Sequence, residues 1–345
     1  MSAVLQLSVK EFVVMHGTNH LMSEDALNRS VSACPIVDLS LIVPVYNEDE
    51  TVGLFLAKVN EVFEGESVRL EIIFVNDGSV DGTLERLLQC QAEDERIRVV
   101  DLSRNFGKEA ALSAGLQMST GRVVVPIDVD LQDPPALIRD MLEKWRSGYD
   151  VVLGRRIDRA SDSLAKRVTA KWFYRIHNWI SEPEIPENVG DFRLMDRSVV
   201  DALKALPESR RFMKGLFAWV GFRKAFVDYV RPERVAGDGK FSGWRLWNFA
   251  LEGITSFSTV PLRIWTYLGV TVALVSFLYG IYIATRVLFF GVDTPGYASA
   301  FVAVTFLGGL QLIGIGVIGE YVGRTYVESK RRPVFLVRQI YEPKD

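Results

Sequence analysis

The chain has 345 residues, a formal net charge of −3, two cysteines and three histidines. Without a basic excess it does not have the charge of a nucleic-acid-binding protein, and two cysteines without a Cys-x-x-Cys pair exclude a disulfide scaffold. Three scattered histidines are too few for a histidine-based zinc site. The length suffices for a full α/β catalytic domain with an additional segment.

Residues 1–37 carry several charges and lack the apolar run of a signal peptide. We expect them to form a weakly structured leader, within which Met22 is an alternative start. The sequence of this leader indicates no specific role.

From Leu39 onward, short apolar runs alternate with segments of helical periodicity. The predicted strands are Leu39–Pro44, Leu70–Val75, Ile97–Leu102, Val123–Ile127 and Tyr149–Leu153, and the predicted helices are Val52–Phe63, Leu84–Gln91 and Glu109–Met118. Continuous apolar strands separated by helices predict a mostly parallel sheet covered on both faces. Ligands of such sheets bind beyond the carboxyl ends of the strands. We therefore expect an α/β domain over residues 38–240 with its site at that edge.

The sharpest polar cluster follows the fourth predicted strand and reads Asp-Val-Asp-Leu-Gln-Asp-Pro-Pro over residues 128–135. Asp128 and Asp130, on an irregular loop, are placed to bind one divalent cation, which takes one or two carboxylates together with substrate phosphates. Such a cation neutralises the charge on a departing nucleoside diphosphate. The alternative is an ordinary cap or turn. Asp133, before two prolines, is predicted as the N-cap of the next helix.

Two further polar clusters follow the first and second predicted strands. Pro44, Tyr46 and Glu48 belong to the first, and Asp77 and Gly78 to the second. Asp77 is suited to accept a hydrogen bond from a base N–H, and Tyr46 to lie against a base. Gly78 permits a tight turn after the strand. For either cluster alone, ordinary turn chemistry between a strand and a helix is the simpler interpretation.

Beyond residue 240 the composition changes. Residues 241–262 place Trp244 and Trp247 on one helical face, which predicts an amphipathic helix in the membrane interface; the alternative is a helix packed on the soluble domain. Residues 263–321 contain two long apolar stretches, at about 264–288 and 297–319, each sufficient to span a bilayer. A helical hairpin buried in a soluble core is the alternative. Basic residues at both outer flanks place the two termini in the cytoplasm by the positive-inside rule.

Residues 322–345 form a tail with an apolar, β-rich run from Pro333 to Tyr341. A single exposed strand of this kind is prone to aggregation. We therefore expect the run to pair, either with the catalytic domain or with a neighbouring subunit. We predict the second arrangement, in a homo-oligomer whose tails cross between chains.

Taken together and in this order, the motifs resemble the family 2 glycosyltransferases of the GT-A fold. The resemblance narrows to the polyisoprenyl-phosphate glycosyltransferases, which include dolichol-phosphate mannose synthase and the bactoprenol glucosyltransferases of O-antigen glucosylation. It covers about residues 39–345. The segments that carry it are Ser103–Glu109, Asp128–Asp133, Asn188–Met195, Trp244–Ser258 and Gly319–Tyr326. One departure is Asn76, where many relatives have a second aspartate.

The resemblance implies transfer of glucose from UDP-glucose to undecaprenyl phosphate, with inversion and with Mg²⁺ or Mn²⁺, at the cytoplasmic face of a bacterial inner membrane. Another UDP-sugar or GDP-mannose is the alternative donor, since no residue dictates glucose by itself. A processive polysaccharide synthase fits less well, because the sequence has no Gln-x-x-Arg-Trp motif and too few predicted spans. A non-catalytic scaffold fits less well because the Asp-x-Asp loop is intact.

The resemblance also implies roles for the donor-side residues. Uridine is held by Pro44, Tyr46, Glu48 and Asp77, and the metal and diphosphate are held by Asp128, Asp130 and Gln132. Lys108 lies near the diphosphate or the sugar. The alternative for Lys108 is a solvated lysine at the start of a helix.

On the acceptor side, the resemblance implies that Arg156 and Arg167 bind the lipid phosphate, for which the arginine fork is well suited. A basic helix face with surface charges is the alternative. Asp191 occupies the position of an active-site carboxylate. Its role stays open between orienting a sugar hydroxyl, binding the lipid phosphate through a cation and acting as a base, and a cap or turn aspartate is the alternative.

Overall fold

The computed structural model describes residues 37–157, 186, 188–209, 211–230, 258–291 and 296–343. Its strands are β1 (Leu39–Val45), β2 (Leu70–Asn76), β3 (Ile97–Leu102), β4 (Val123–Pro126), β5 (Val151–Arg156), β6 (Val189–Asp196), β7 (Lys224–Tyr229) and β8 (Val337–Tyr341). They form one sheet in the order β7-β5-β6-β4-β1-β2-β3-β8. The central strands β4, β1, β2 and β3 are parallel, whereas β6 and β8 run antiparallel to their neighbours. The predicted α/β fold with a mostly parallel sheet is confirmed.

Both faces of the sheet are covered. The helices of the catalytic domain are α1 (Asp49–Phe63), α2 (Thr83–Glu93), α3 (Lys108–Met118), α4 (Leu137–Arg146), α5 (Arg197–Ala205) and α6 (Met213–Trp219). Alternate residues of one strand enter different cores, as the two-residue period of a strand requires. On β2, Phe74 packs in the same cluster as Phe55 of α1, and Ile73 packs in the cluster that contains Ala111 of α3. This explains why the central strands read as continuous apolar runs.

The elements predicted from periodicity are present with small shifts at their ends. The first three helices begin slightly earlier than predicted, at Asp49, Thr83 and Lys108. The strand predicted at residues 149–153 begins at Val151 and continues to Arg156. Pairing with β6 on one side and β7 on the other extends this strand into its polar end.

Asp133 is not an N-cap, so that prediction is wrong. Helix α4 begins at Leu137, and its N-cap position is Ala136, which makes no side-chain cap hydrogen bond. A turn closed by the carbonyl of Pro134 precedes the helix and delays its start. The carboxylate of Asp133 is buried instead and accepts a hydrogen bond from the hydroxyl of Tyr229 on β7.

Two helices, α7 (Val260–Phe290) and α8 (Tyr297–Ser329), are long and apolar enough to cross a membrane. Mean hydropathy is 1.9 for Val260–Phe290 and 2.0 for Val302–Ser329, and only 0% and 6% of their apolar windows are buried. A hairpin inside a soluble core would bury most of this surface, so the described residues favour the membrane interpretation. Helix α8 continues past the predicted end of the span at residue 319, so the tail begins later than predicted.

The tail strand β8 pairs antiparallel with β3 at the edge of the same sheet, with Val99 opposite Tyr341 and Asp101 opposite Gln339. The apolar run is therefore covered within its own chain, because the segment after Ser329 reaches back to the catalytic domain. This corrects the prediction that the tail crosses between chains. A homo-oligomer stays a prediction that this strand no longer supports.

Three predicted features lie outside the described residues. They are the leader at residues 1–36, the interfacial helix with Trp244 and Trp247 up to residue 257, and the acceptor-phosphate residue Arg167. The structure therefore leaves these three expectations untested.

The turn after β2 depends on a glycine. Gly78 has a φ of +66°, and a Cβ placed on it would lie 2.4 Å from the carbonyl carbon of Arg104 and 2.5 Å from the nitrogen of Asn105. Gly65 has a φ of +77° with nothing within 4 Å of such a Cβ, which makes it a matched control.

We expect Gly65→Ala to destabilise the protein by roughly 1–2 kcal/mol, the cost of a left-handed conformation for a residue with a Cβ. Gly78→Ala should cost clearly more, because it must also displace the backbone of the following loop. The measurement is thermal unfolding of the detergent-solubilised protein. Equal losses in both variants would contradict the close approach of the two loops.

Candidate active site

A cavity of about 740 Å³ opens at the carboxyl edge of the central strands. The predicted site residues that line it are Pro44, Tyr46, Glu48, Asp77, Lys108, Asp128, Asp130, Arg156 and Asp191. Gln132 is not among the described residues that line the cavity, although its backbone N–H donates to Asp130 Oδ1 at 3.1 Å. Arg167 lies outside the described residues. The clusters predicted at separate strand ends thus meet in one place.

The centre of the cavity is an ion triad. The ammonium of Lys108, at the start of α3, lies 2.7 Å from Asp128 Oδ1 and 3.0 Å from Asp191 Oδ2. Asp128 follows β4, and Asp191 belongs to β6. Lys108 is at the start of a helix and its side chain is 44% exposed, but it joins two carboxylates that come from different strands.

The triad shifts the pKa values of its members in opposite directions. Burial by itself would lower the pKa of Lys108, but the carboxylates of Asp191 and Asp128 raise it above its ordinary value. Burial would raise the pKa of Asp191, whereas the charges of Lys108 and Lys214 lower it to about 2. Asp191 is therefore ionised at neutral pH, and a carboxylate of so low a pKa is a poor general base.

Two ionisable side chains near Asp191 were missed from the sequence: Arg193, which is buried, and Glu109, which is partly buried. Arg193 is 5% exposed, donates from Nη2 to the carbonyl of Gly190 at 2.6 Å, and stacks on Phe217 with its guanidinium carbon 3.9 Å from the ring centroid. Burial lowers the pKa of Arg193 to about 10, so it stays cationic. Burial, together with the charge of Asp191, raises the pKa of Glu109 to about 8, so Glu109 is largely protonated at pH 7. Only the charges of these residues were visible in the sequence.

Asp77 joins the end of β2 to the loop after β3. Its two carboxylate oxygens accept hydrogen bonds from the N–H groups of Phe106 at 2.7 Å and Gly107 at 2.9 Å. Burial raises the pKa of Asp77, against the opposing effect of these two hydrogen bonds. The loop that Asp77 holds leads directly into Lys108. Contact of Asp77 with a base stays a prediction, and the structure adds this second role.

The opposite wall of the cavity is cationic. Arg156 donates from Nε to the hydroxyl of Tyr229 at 3.2 Å, and its Nη2 lies 3.7 Å from Asp133 Oδ1. Lys214 on α6 also lines the cavity, and in the part of the chain that the structure describes it forms no ion pair. The neighbouring Arg155 pairs with Asp228 at 2.6 Å and does not line the cavity, because successive residues of a strand point to opposite faces.

The carboxylates of the Asp-x-Asp loop provide hard oxygen donors. Among the described residues, no three His, Cys, Asp or Glu side chains lie close enough together to hold a metal ion by themselves. Asp128 and Asp130 nevertheless fit an ion such as Mg²⁺, which takes one or two carboxylates and completes its shell with phosphate and water. Because Asp128 is already paired with Lys108, a cation bound at Asp128 would compete with the ammonium group.

The sequence was compared with known proteins and structures. Residues 40–204 match glycosyl transferase family 2, and residues 260–325 match the GtrB C-terminal hairpin. The chain is 53% identical to the prophage bactoprenol glucosyl transferase homolog of Escherichia coli K12, over 88% of this chain and 99% of that protein. It is 54% identical to the bactoprenol glucosyl transferase of Shigella phage SfV, over 87% and 98%.

A remoter likeness exists to a solved structure. The glucosyl-3-phosphoglycerate synthase of Mycobacterium tuberculosis, in complex with Mn²⁺, UDP-glucose and phosphoglyceric acid, is 19% identical, with a TM-score of 0.45 over 63% of this chain and 77% of that one. At that level the likeness does not bear on the ligands of this chain.

The Asp-x-Asp loop makes a specific prediction for metal-dependent binding. We expect Asp130→Ala to abolish the gain in UDP affinity that Mg²⁺ gives, while the variant remains folded, because Asp130 would be a ligand of the ion. The measurement is calorimetric titration with UDP in Mg²⁺ and in EDTA. Asp140→Ala, on the exposed face of α4, is the control. If Mg²⁺ still raised the UDP affinity of Asp130→Ala as it does in the unmodified protein, the proposed metal site in this loop would be wrong.

Proposed function

We propose that this chain, a polyprenyl-phosphate glycosyltransferase that belongs to glycosyltransferase family 2, transfers glucose from UDP-glucose to undecaprenyl phosphate with inversion. The observation that carries the proposal is a single cavity. It is lined by the residues that follow β1 and β2, by the Asp-x-Asp loop, and by the cationic side chains of Arg156 and Lys214. The choice of glucose is supported by the identity to bactoprenol glucosyl transferases. Another UDP-sugar or GDP-mannose is the alternative donor.

On the donor side, Pro44, Tyr46, Glu48 and Asp77 hold uridine. The Tyr46 side chain is 46% exposed at the cavity wall, which leaves its ring available to lie against a base. The diphosphate lies toward Asp128 and Asp130, with Gln132 on the same loop. A divalent cation bound there, Mg²⁺ or Mn²⁺, would neutralise the charge that develops on the departing UDP.

The nucleophile explains why no strong base is needed. The nucleophile is the phosphate of undecaprenyl phosphate, a monoester with a second pKa of about 6, so it is largely a dianion at neutral pH. Asp191, with a pKa of about 2, does not take up a proton under these conditions. Of the roles left open for Asp191, general base catalysis is therefore disfavoured, whereas orienting a sugar hydroxyl and binding the lipid phosphate through a cation both stay open. The pairing with Lys108 adds a structural role. Alignment of the two substrates in the cavity supplies most of the acceleration.

On the acceptor side, Arg156 binds the lipid phosphate, and we add Lys214 to the predicted pair Arg156 and Arg167. Lys214 lines the cavity, and although its charge helps to lower the pKa of Asp191, it makes no direct ion pair among the described residues. A phosphate dianion in a partly dehydrated cavity needs several cationic donors. Lys214 is therefore available to the substrate, whereas Lys108 already has two carboxylate partners.

The apolar hairpin supports a membrane location. Helices α7 and α8 hold the domain at the bilayer where undecaprenyl phosphate resides. Arg263 precedes the first apolar stretch, and Arg324 and Lys330 follow the second, so the catalytic domain and both termini lie on the cytoplasmic side of the bacterial inner membrane. The product would serve O-antigen or cell-envelope glycosylation. A homo-oligomer stays part of the proposal without support from the tail.

The direct test is release of UDP by the purified protein with a panel of nucleotide sugars. We expect release from UDP-glucose that requires added undecaprenyl phosphate. Faster release of the nucleotide from UDP-galactose, UDP-N-acetylglucosamine or GDP-mannose would show that this sugar nucleotide, and not UDP-glucose, is the donor. Release that does not depend on the polyprenyl phosphate would contradict the acceptor.

The neighbours Arg155 and Arg156 provide a matched pair for the acceptor site. Arg156→Ala should lower kcat/KM for undecaprenyl phosphate about tenfold or more, the effect of losing one charge-assisted hydrogen bond. UDP affinity should change little. Arg155→Ala, which removes an exposed pair with Asp228, is the control. Similar acceptor kinetics in both variants would refute a role for Arg156 at the phosphate.

A further inference from the structure

The strand that follows the membrane hairpin contacts the donor side of the cavity from outside. The carbonyl of Leu336, just before β8, accepts a hydrogen bond from the N–H of Ser103 at 2.9 Å. Ser103 begins the segment that we call the donor loop, residues 103–107, which leads into Lys108. Asn105 and Gly107 of this loop line the cavity. The tail therefore contacts the donor loop at its base.

Arg338 of β8 fixes this contact through a buried carboxylate. Its Nη1 lies 3.3 Å from Asp101 Oδ2, and its Nη2 donates to the carbonyl of Ser103 at 2.9 Å. Asp101 is 1% exposed, and its other oxygen accepts from Asn76 Nδ2 at 2.8 Å. The amide oxygen of Asn76 accepts in turn from the N–H of Ser79 at 3.2 Å. One carboxylate thus joins the tail, the end of β2 and the donor loop.

Asp77, which directly follows Asn76, holds the same loop from inside the cavity. Its carboxylate accepts hydrogen bonds from two N–H groups of the donor loop, those of Phe106 and Gly107. Phe106 of the loop packs against the same apolar cluster as Phe335 and Val337 of the tail. The donor loop is therefore held on both sides, by Asp77 within the cavity and by the tail behind it. Removal of the tail contact would leave Asp101 as a buried charge without its cationic partner.

The residue at position 76 fits this arrangement. An aspartate there would face Asp101 as a like charge across two neighbouring strands. The amide of Asn76 donates to Asp101 instead, while Arg338 balances the charge from the other side. Asp101 is therefore contacted by two donors, one from the sheet and one from the tail.

We propose that Arg338 is a positioning residue for the donor. Its bonds to Asp101 and Ser103 hold the donor loop, and with it Lys108, in the arrangement that binds the nucleotide diphosphate. This inference rests on the proposed function, since it requires the nucleotide sugar to bind on this side of the cavity. It makes donor binding depend on a segment that lies beyond the membrane hairpin in the chain.

The test compares Arg338→Ala and Arg338→Lys with Glu342→Gln. Glu342 belongs to the same tail and its side chain is as exposed as that of Arg338, 59% against 58%, but it pairs at 2.7 Å with Arg98 near the opposite end of β3. We expect Arg338→Ala to raise the Kd for UDP and the KM for UDP-glucose about tenfold, and to leave the KM for undecaprenyl phosphate within about twofold. Arg338→Lys should recover part of the loss, and Glu342→Gln should behave like the unmodified protein.

Equal UDP affinity in Arg338→Ala and Glu342→Gln would overturn the proposal. A parallel loss for donor and acceptor together with a lower Tm would also overturn it, because it would show general support of the fold. If Arg338→Ala does not fold, Arg338→Lys decides: a raised Kd for UDP supports the proposal, and an unchanged Kd overturns it. If the unmodified protein does not bind UDP, the proposed donor itself is refuted. If it binds UDP and the Arg338 variants bind UDP equally well, only the positioning role of Arg338 is refuted.

Discussion

The ammonium of Lys108 between Asp128 and Asp191 is the interaction on which the rest of the site depends. Two carboxylates brought to one place repel each other unless a cation lies between them. The lysine pairs with both, helps to lower the pKa of Asp191 and links the loop after β4 to β6. Every substrate group that enters must therefore be accommodated around this triad. The low pKa of Asp191 and the raised pKa of Lys108 are two consequences of the same contact.

The sheet topology explains how the triad can form. Parallel strands β1, β2 and β4 end at one edge, so the residues that follow them share the donor side. Strand β6 runs antiparallel to β4 and β5, so its beginning, with Asp191, lies at the same edge. Arg156 at the end of β5 joins from the other side. The antiparallel strand thus adds Asp191 to the edge at which the parallel strands end.

The membrane hairpin is linked to the catalytic domain at more than one place. The carboxylate of Glu328 on α8 accepts a hydrogen bond from the N–H of Ser209 in the catalytic domain at 3.0 Å. The hydroxyl of Tyr321, also on α8, donates to the carbonyl of Ser258, just before α7, at 2.7 Å and ties the two helices together. The tail then adds β8 to the sheet. A helix that continues beyond its apolar part and makes such contacts restrains the catalytic domain relative to the apolar hairpin, as the proposed reaction at a lipid phosphate would require.

The sequence by itself determined the features that depend on near neighbours in the chain. The alternating strands and helices, the Asp-x-Asp loop at residues 128–130 and the apolar hairpin follow from local hydrophobic period and from turn chemistry. Only the tertiary structure decided which charges meet. The partners of Lys108, the bond of Asp133 to Tyr229, the burial of Arg193 and the pairing of β8 with β3 all join residues distant in sequence. Their contacts are set by the order and direction of the strands, which local patterns do not encode.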